Sequence, residues 1–159
     1  MAAVRAASSL SEPSERAYTP PPRCDVIRGS CLCREVRYEI TGELEEMHHC
    51  HCSRCRKAHG AAFSTFARTA RSHLRLGSGE RELRQFQSSP PVRRSFCARC
   101  GSSLFFEFAG VPEAIWVAVG TFDDDPGMRP GAHIFVGSRA PWHAITDDLP
   151  RHEEYPTPE

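Results

Sequence analysis

The chain has 159 residues, enough for one domain with a core of its own. Its 20 basic and 20 acidic residues cancel to a formal charge of zero, which argues against a bulk binder of nucleic acid or membrane surfaces. No apolar run approaches the roughly 20 residues of a bilayer-spanning helix and no secretory signal is visible, so the expected setting is cytoplasmic.

Residues 1–26 read as a disordered tail, because Pro13, Pro20, Pro21 and Pro22 deny it helix and ladder hydrogen bonds. Its start carries Ala, Ser and Arg with no acid before Glu12, a faint likeness to a mitochondrial transit peptide that lacks the amphipathic face. The domain is expected over residues 27–156, with 157–159 a short tail. Val36, Tyr38 and Ile40 alternate with Arg37 and Glu39, the pattern of a half-buried strand. A short helix is expected around Ser53–His59. Ala61 to Ala67 is a second apolar stretch, and Leu74 and Leu76 run into the turn Gly77-Ser78-Gly79 before Leu83 and Phe86. Leu104–Phe108 reads as a strand. Ile115–Phe122 reads as a buried central strand. Further strands are expected at His133–Val136 and, as strand or turn, at Trp142–Ile145. Apolar residues nowhere keep a 3.6 period for three turns, so the fold class is all-β, built of small sheets tied by metal. Phe63, Phe66, Phe105, Phe106 and Phe108 read as core, with a pocket lining as the alternative.

Eight cysteines are many for this length. Seven fall into C-x-C and C-x-x-C clusters, whose members bridge each other poorly but chelate one metal readily. Cys24 is left over in the tail. Cys31 and Cys33 form a hook, and Cys97 and Cys100 a knuckle followed by Gly101, which suits the positive φ of that turn. Two such pairs from distant segments make a four-thiolate site, the closed arrangement of structural zinc. The middle cluster, Cys50, Cys52 and Cys55, offers three thiolates and an open position, the arrangement of catalytic zinc. Two zinc ions per chain are therefore expected.

His48, His49, His51 and His59 lie close enough in sequence to be considered as a fourth ligand. Residues flanked so tightly by ligands usually point away, which leaves solvent or the bound sulfurs as their partners. Arg54, Arg56 and Lys57 would either offset the net negative charge of zinc with three thiolates or form a solvated charge run. An open zinc would deprotonate a small thiol for attack on an aldehyde, or activate water for hydrolysis.

The run Cys50-His51-Cys52-Ser53-Arg54-Cys55-Arg56-Lys57-Ala58-His59-Gly60 resembles the glutathione-dependent formaldehyde-activating enzyme family, whose domain also occurs in centromere protein V. The hook Gly29-Ser30-Cys31-Leu32-Cys33, the segment Phe96–Leu104 and the segment His133–Trp142 match the same pattern. The resemblance implies a β-tent fold, a structural zinc on the outer pairs and a second zinc on the middle three. It also implies glutathione as co-substrate and a carbon–sulfur lyase reaction joining it to formaldehyde, with no catalytic residue assigned beyond the ligands. Arg34 departs from the glycine that members often carry after the hook, which affects the turn rather than the ligands. A non-catalytic zinc-binding interaction module and a redox sensor, in which Cys50, Cys52 and Cys55 oxidise and release zinc, are the alternatives. The neutral charge balance disfavours a nucleic-acid partner.

Overall fold

The structure, a computed structural model, describes residues 26–156. The proline-rich segment with Cys24 and the last three residues lie outside them. Ten strands and one helix run in the order β1 Ile27–Ser30, β2 Arg37–Ile40, β3 Glu46–Cys50, α1 Ser53–His59, β4 Ser64–Ala70, β5 Leu74–Ser78, β6 Leu83–Ser89, β7 Val92–Cys97, β8 Ser103–Phe108, β9 Ala114–Ala118 and β10 Ala132–Ile134. The fold is thus built of β-sheet with a single short helix among the described residues. A three-stranded sheet has the order β1-β2-β5, and a seven-stranded sheet the order β10-β3-β4-β9-β8-β7-β6.

The two-residue period of a strand sorts the side chains of the large sheet onto two faces. In register, Ala67 pairs with Val117, Thr69 with Ile115, and Phe105 with Val117. This face turns to the small sheet. Ile27, Val36, Tyr38 and Ile40 pack there against Leu104, Phe105, Ile115 and Val117 in one buried cluster. Tyr38 meets Phe105 edge-on at 5.0 Å and bonds through its hydroxyl to Thr121 Oγ1 at 2.6 Å. Its ring lies over Gly29, its cross-strand partner, where a Cβ would fall 2.2 Å from Tyr38 Cζ. The glycine before the hook is therefore a packing requirement.

The opposite face carries the alternate set. Cys50 pairs with Ser64, His48 with Phe66, Phe66 with Ala118, Arg68 with Trp116, Phe106 with Trp116, and Arg94 with Phe106. Cys50, Cys55, Phe66, Ala118 and Ile134 form a second cluster there, joined by Cys52, Phe106, Trp116 and Phe135.

One expectation needs correction. Ile115–Phe122 is not one strand: β9 ends at Ala118, and a single 3-10 turn at Val119–Thr121 carries the chain across to the small sheet. There Phe122 bridges Gly29 and Asp123 N donates to Arg28 O. The run is apolar throughout because β9 lies between β4 and β8 with a cluster on each face, not because the strand is long. At Trp142–Ile145, expected as strand or turn, the chain turns: His143 N donates to Ala140 O, and Trp142 is exposed. Glu46–Cys50 and Val92–Cys97 are strands without a clear apolar alternation, since histidine, arginine and cysteine occupy their inward positions.

Candidate metal centre

The outer cysteines come from the hook after β1 and the knuckle between β7 and β8. In the hook, Arg34 N donates to Cys31 O at 2.8 Å and Val36 N to Cys31 Sγ at 3.3 Å. The turn requires φ 61° at Arg34, the left-handed conformation in which a glycine is unstrained. In the knuckle, Gly101 N donates to Cys97 O at 2.8 Å and Gly101 has φ 76°, as its place after the second cysteine leads one to expect. Leu32 N donates to Ser102 Oγ and so ties the two loops directly.

The sulfurs of Cys31, Cys33, Cys97 and Cys100 all lie within 4.8 Å of one another. Cys31 Sγ is 3.5 Å from Cys33 Sγ, which is 3.8 Å from Cys97 Sγ. A disulfide would bring sulfurs to about 2.05 Å. Four sulfurs placed tetrahedrally at about 2.3 Å from a zinc ion would stand about 3.8 Å apart. The donor set and its spacing fit zinc.

Cys50, Cys52 and Cys55 form a second cluster within the same 4.8 Å limit, and among the described residues no histidine nitrogen or carboxylate oxygen joins it. Cys50 ends β3. Cys52 is the N-cap of α1, its sulfur accepting from Cys55 N at 3.3 Å, and Cys55 lies one turn into the helix. The sequence Cys-Ser-Arg-Cys folds this way because a thiolate can take the capping role usually filled by a side-chain oxygen. Gly60, with φ 60°, stops the helix. Mutual hydrogen bonds from Cys50 and Cys52, and then Arg94, bring the Cys55 thiol down to about 2. The bond to Cys52 pushes Cys50 up. Of the three sulfurs, Cys55 is the one that its neighbours and Arg94 favour as thiolate.

The cation that reaches the triplet is Arg94 on β7. Its Nη2 lies 3.5 Å from Cys55 Sγ, its Nε donates to Ser88 Oγ at 3.2 Å, and its guanidinium sits 5.7 Å from the Phe106 ring centre. Arg94 Nη1 is buried with no partner in the protein. Of the local run proposed for this role, Arg56 instead bonds to the carbonyls of His51 and Ser138, and Arg54 stands at the cavity rim. Lys57 is exposed.

The histidines are not where the sequence suggests. His51 is fully buried and turns away from the sulfurs. Its Nε2 is 2.7 Å from His133 Nδ1, and His133 Nε2 is 2.9 Å from Asp147 Oδ1. A proton on His133 Nε2 directed at Asp147 leaves Nδ1 to accept from His51 Nε2–H. Burial, then His133, pushes both His49 and His51 down to about 4, so the pair is neutral near pH 7. Phe63 packs against this group, 4.7 Å from His49 and 5.2 Å from His51. His48 bonds to Glu46, and His59 meets Phe66 edge-on. The segment that begins at His133 stands out in the sequence, but nothing there ties His133 or Asp147 to His51, which is 82 positions from His133.

On the outward side of the triplet lies a cavity of about 460 Å³. Phe66, Phe106, Phe108 and Trp116 line it, together with Phe135 and the three cysteines. Of the phenylalanines expected as core, Phe105 and Phe66 are core, Phe66 also facing the cavity, while Phe106 and Phe108 form its wall. Phe135 holds φ 58°, a conformation disfavoured for an aromatic residue. It is kept there between β10, whose Ile134 O accepts from His51 N, and the 3-10 turn at Val136–Ser138. The segment after Pro150 pairs with His133 and Val136, and Tyr155 donates to Glu46 Oε1 at 2.6 Å, closing the cavity margin.

The family model described as glutathione-dependent formaldehyde-activating enzyme matches residues 26–138. An uncharacterized lyase of Schizosaccharomyces pombe is 29% identical over 80 residues, 50% of this chain and 56% of that protein. A protein of Aspergillus flavus, provisionally named a glutathione-dependent formaldehyde-activating enzyme, is 31% identical over 77 residues, 47% of this chain and 40% of its own. A Halomonas elongata protein of the same provisional name is 24% identical over 127 residues, 76% of this chain and 81% of that one. The chain spans about half the length of the first two of these relatives. The crystal structure of a Rhodobacter sphaeroides protein superposes with a TM-score of 0.53 at 27% identity, covering 62% of this chain and 89% of the other. No helix among the described residues is long and apolar enough to cross a membrane.

Proposed function

The chain belongs to the glutathione-dependent formaldehyde-activating enzyme family, and from that premise we propose that it is a zinc-dependent carbon–sulfur lyase joining glutathione, or a similar small thiol, to an aldehyde. Cys50, Cys52 and Cys55 would hold the reactive zinc, and Cys31, Cys33, Cys97 and Cys100 a structural one, giving two per chain. The domain would extend over residues 27–156. The observation that carries this reading is the asymmetry of the two clusters. The quartet supplies four donors at the edge of the core, whereas the triplet supplies three donors and faces a cavity.

The chemistry that zinc supplies at a three-thiolate site is a lowered pKa for a fourth, incoming thiol, which makes a nucleophile available at neutral pH. The chain's own residues prepare the site. Arg94 places a cation against Cys55 and offsets the negative charge of the thiolates. The aromatic wall excludes water, which strengthens that interaction. Asp147, through His133, holds His51 and with it the loop between Cys50 and Cys52.

The test is the rate of exchange between free formaldehyde and its glutathione adduct, followed by two-dimensional exchange NMR with zinc-loaded protein. Exchange that rises in proportion to protein concentration above the uncatalysed background, and returns to background in Cys52→Ser, is expected. No rise with fully zinc-loaded protein would sink the reading.

A further inference from the structure

The cavity beside the triplet is far larger than formaldehyde requires. Its volume of about 460 Å³ falls in the range of sites that enclose drug-sized ligands. Formaldehyde has one carbon and one oxygen, little more than a water molecule at about 30 Å³.

Strand alternation builds the wall from flat side chains. Phe66 meets Phe106 edge-on at 4.7 Å, and Phe106 stacks on Trp116 at 4.8 Å with their planes 10° apart. Most charged groups at the margin have partners. Glu46 is taken by His48 and Tyr155, while Arg68 pairs with Glu45 and lies over Trp116. Glutathione, with two carboxylates and an ammonium group, would lose hydration against the aromatic part of this wall, which offers it no hydrogen bonds. Arg54 stands exposed at the rim, and Arg94 is the cation set within the wall. It stands between the aromatic wall and Cys55, and its Nη1 is buried without an acceptor.

We propose that the carbonyl partner carries an aromatic or similarly broad apolar group, which lies against Phe66, Phe106 and Trp116 with its carbonyl oxygen turned toward the Arg94 guanidinium. This rests on the thiol chemistry proposed for the triplet. In the step itself the thiolate sulfur forms a bond to the carbonyl carbon and the π pair of the C=O bond moves to oxygen. That oxygen, held by the guanidinium, takes a proton from solvent to replace the one the thiol gave up. The product is a hemithioacetal, and nothing is oxidised or reduced. Arg94 thereby becomes a specificity-determining residue as well as a counter-charge.

The test uses the full zinc-loaded chain with Trp142→Phe, which leaves Trp116 as the sole tryptophan. Phenylacetamide, a carbonyl compound that cannot form the adduct, is titrated against Trp116 fluorescence, with acetamide and toluene as comparisons. Saturable quenching by phenylacetamide is expected, at least tenfold tighter than by acetamide. Val111→Phe, which fills the cavity, should weaken it by a further factor of about ten. Arg94→Met should weaken phenylacetamide by about tenfold and leave toluene unchanged. Phenylacetamide binding no tighter than acetamide, or unaffected by Val111→Phe, overturns the proposal. Equal weakening of toluene and phenylacetamide in Arg94→Met overturns the role of Arg94. Turnover of phenylacetaldehyde and formaldehyde with glutathione is measured alongside. Turnover of formaldehyde without phenylacetamide binding defeats this inference alone, whereas binding without turnover of either aldehyde defeats the reaction and leaves the cavity's preference in place.

Discussion

Arg94 Nη2 lies 3.5 Å from Cys55 Sγ, although 39 positions separate the two residues and they stand on different elements. A guanidinium in this place offsets the charge of three thiolates and supplies a fixed N–H to sulfur. Removing it should loosen the metal at this site alone. For Arg94→Met we expect the zinc affinity of the triplet to fall about ten- to a hundredfold, the effect usual for an outer partner of a metal ligand. Competition with a chromogenic chelator should resolve one weakened and one unchanged zinc. Arg94→Lys should recover only part of the loss, because an ammonium keeps the charge but not the fork of donors.

The His51–His133–Asp147 chain makes a separate prediction about stability. His133→Leu leaves His51 Nε2 buried without its 2.7 Å partner. An unmatched buried donor costs about 1–3 kcal/mol, and the urea midpoint of the zinc-loaded protein should fall accordingly. Asp147 is half exposed, so water can replace much of what Asp147→Asn removes and the loss should be clearly smaller than for His133→Leu. Equal losses in the two variants would mean that the buried pair does not act as the anchor of this loop.

Arg34 is held at φ 61° in the hook. A non-glycine residue in that region costs on the order of 1 kcal/mol, partly offset by the greater freedom glycine has when unfolded. Arg34→Gly should therefore leave zinc content unchanged and raise stability by up to about 1 kcal/mol, read from the thermal midpoint of the loaded protein. Among the described residues Arg34 has no side-chain bond to lose, and its backbone bonds, N to Cys31 O and O from Arg37 Nε, are retained in the variant.

Much of this arrangement could be read from the sequence, for identifiable reasons. The C-x-C and C-x-x-C spacings are local, so they declare which sulfurs can converge, and the structure brings the same seven together in the same two groups. The helix at Ser53–His59 was legible because the cap, Cys52, and the stop, Gly60, flank it. What could not be read was long-range. Nothing near Cys55 announces Arg94, and the cationic run Arg54, Arg56, Lys57 offers a plausible local substitute that the fold directs elsewhere. His51 was expected outside the core because its neighbours are ligands. Its burial depends on β10, which lies parallel to β3 and brings His133 alongside from 82 residues away. The two faces of β9 show the same limit: Trp116 and Val117 are equally apolar in sequence, and only strand pairing decides that one faces the cavity and the other the core.

The central claim is that the two cysteine clusters hold zinc in unequal roles, and zinc-to-protein stoichiometry by elemental analysis tests it most directly. Zinc bound at the quartet contributes folding free energy, since its ligands join the hook to the knuckle across 64 positions. The wild-type full chain should carry two zinc ions. Cys52→Ser should carry about one and keep its circular dichroism, while Cys97→Ser should aggregate or unfold. A wild-type chain with one zinc or none after purification with zinc supplied, or a Cys52→Ser protein that loses its fold while Cys97→Ser keeps it, would contradict the account.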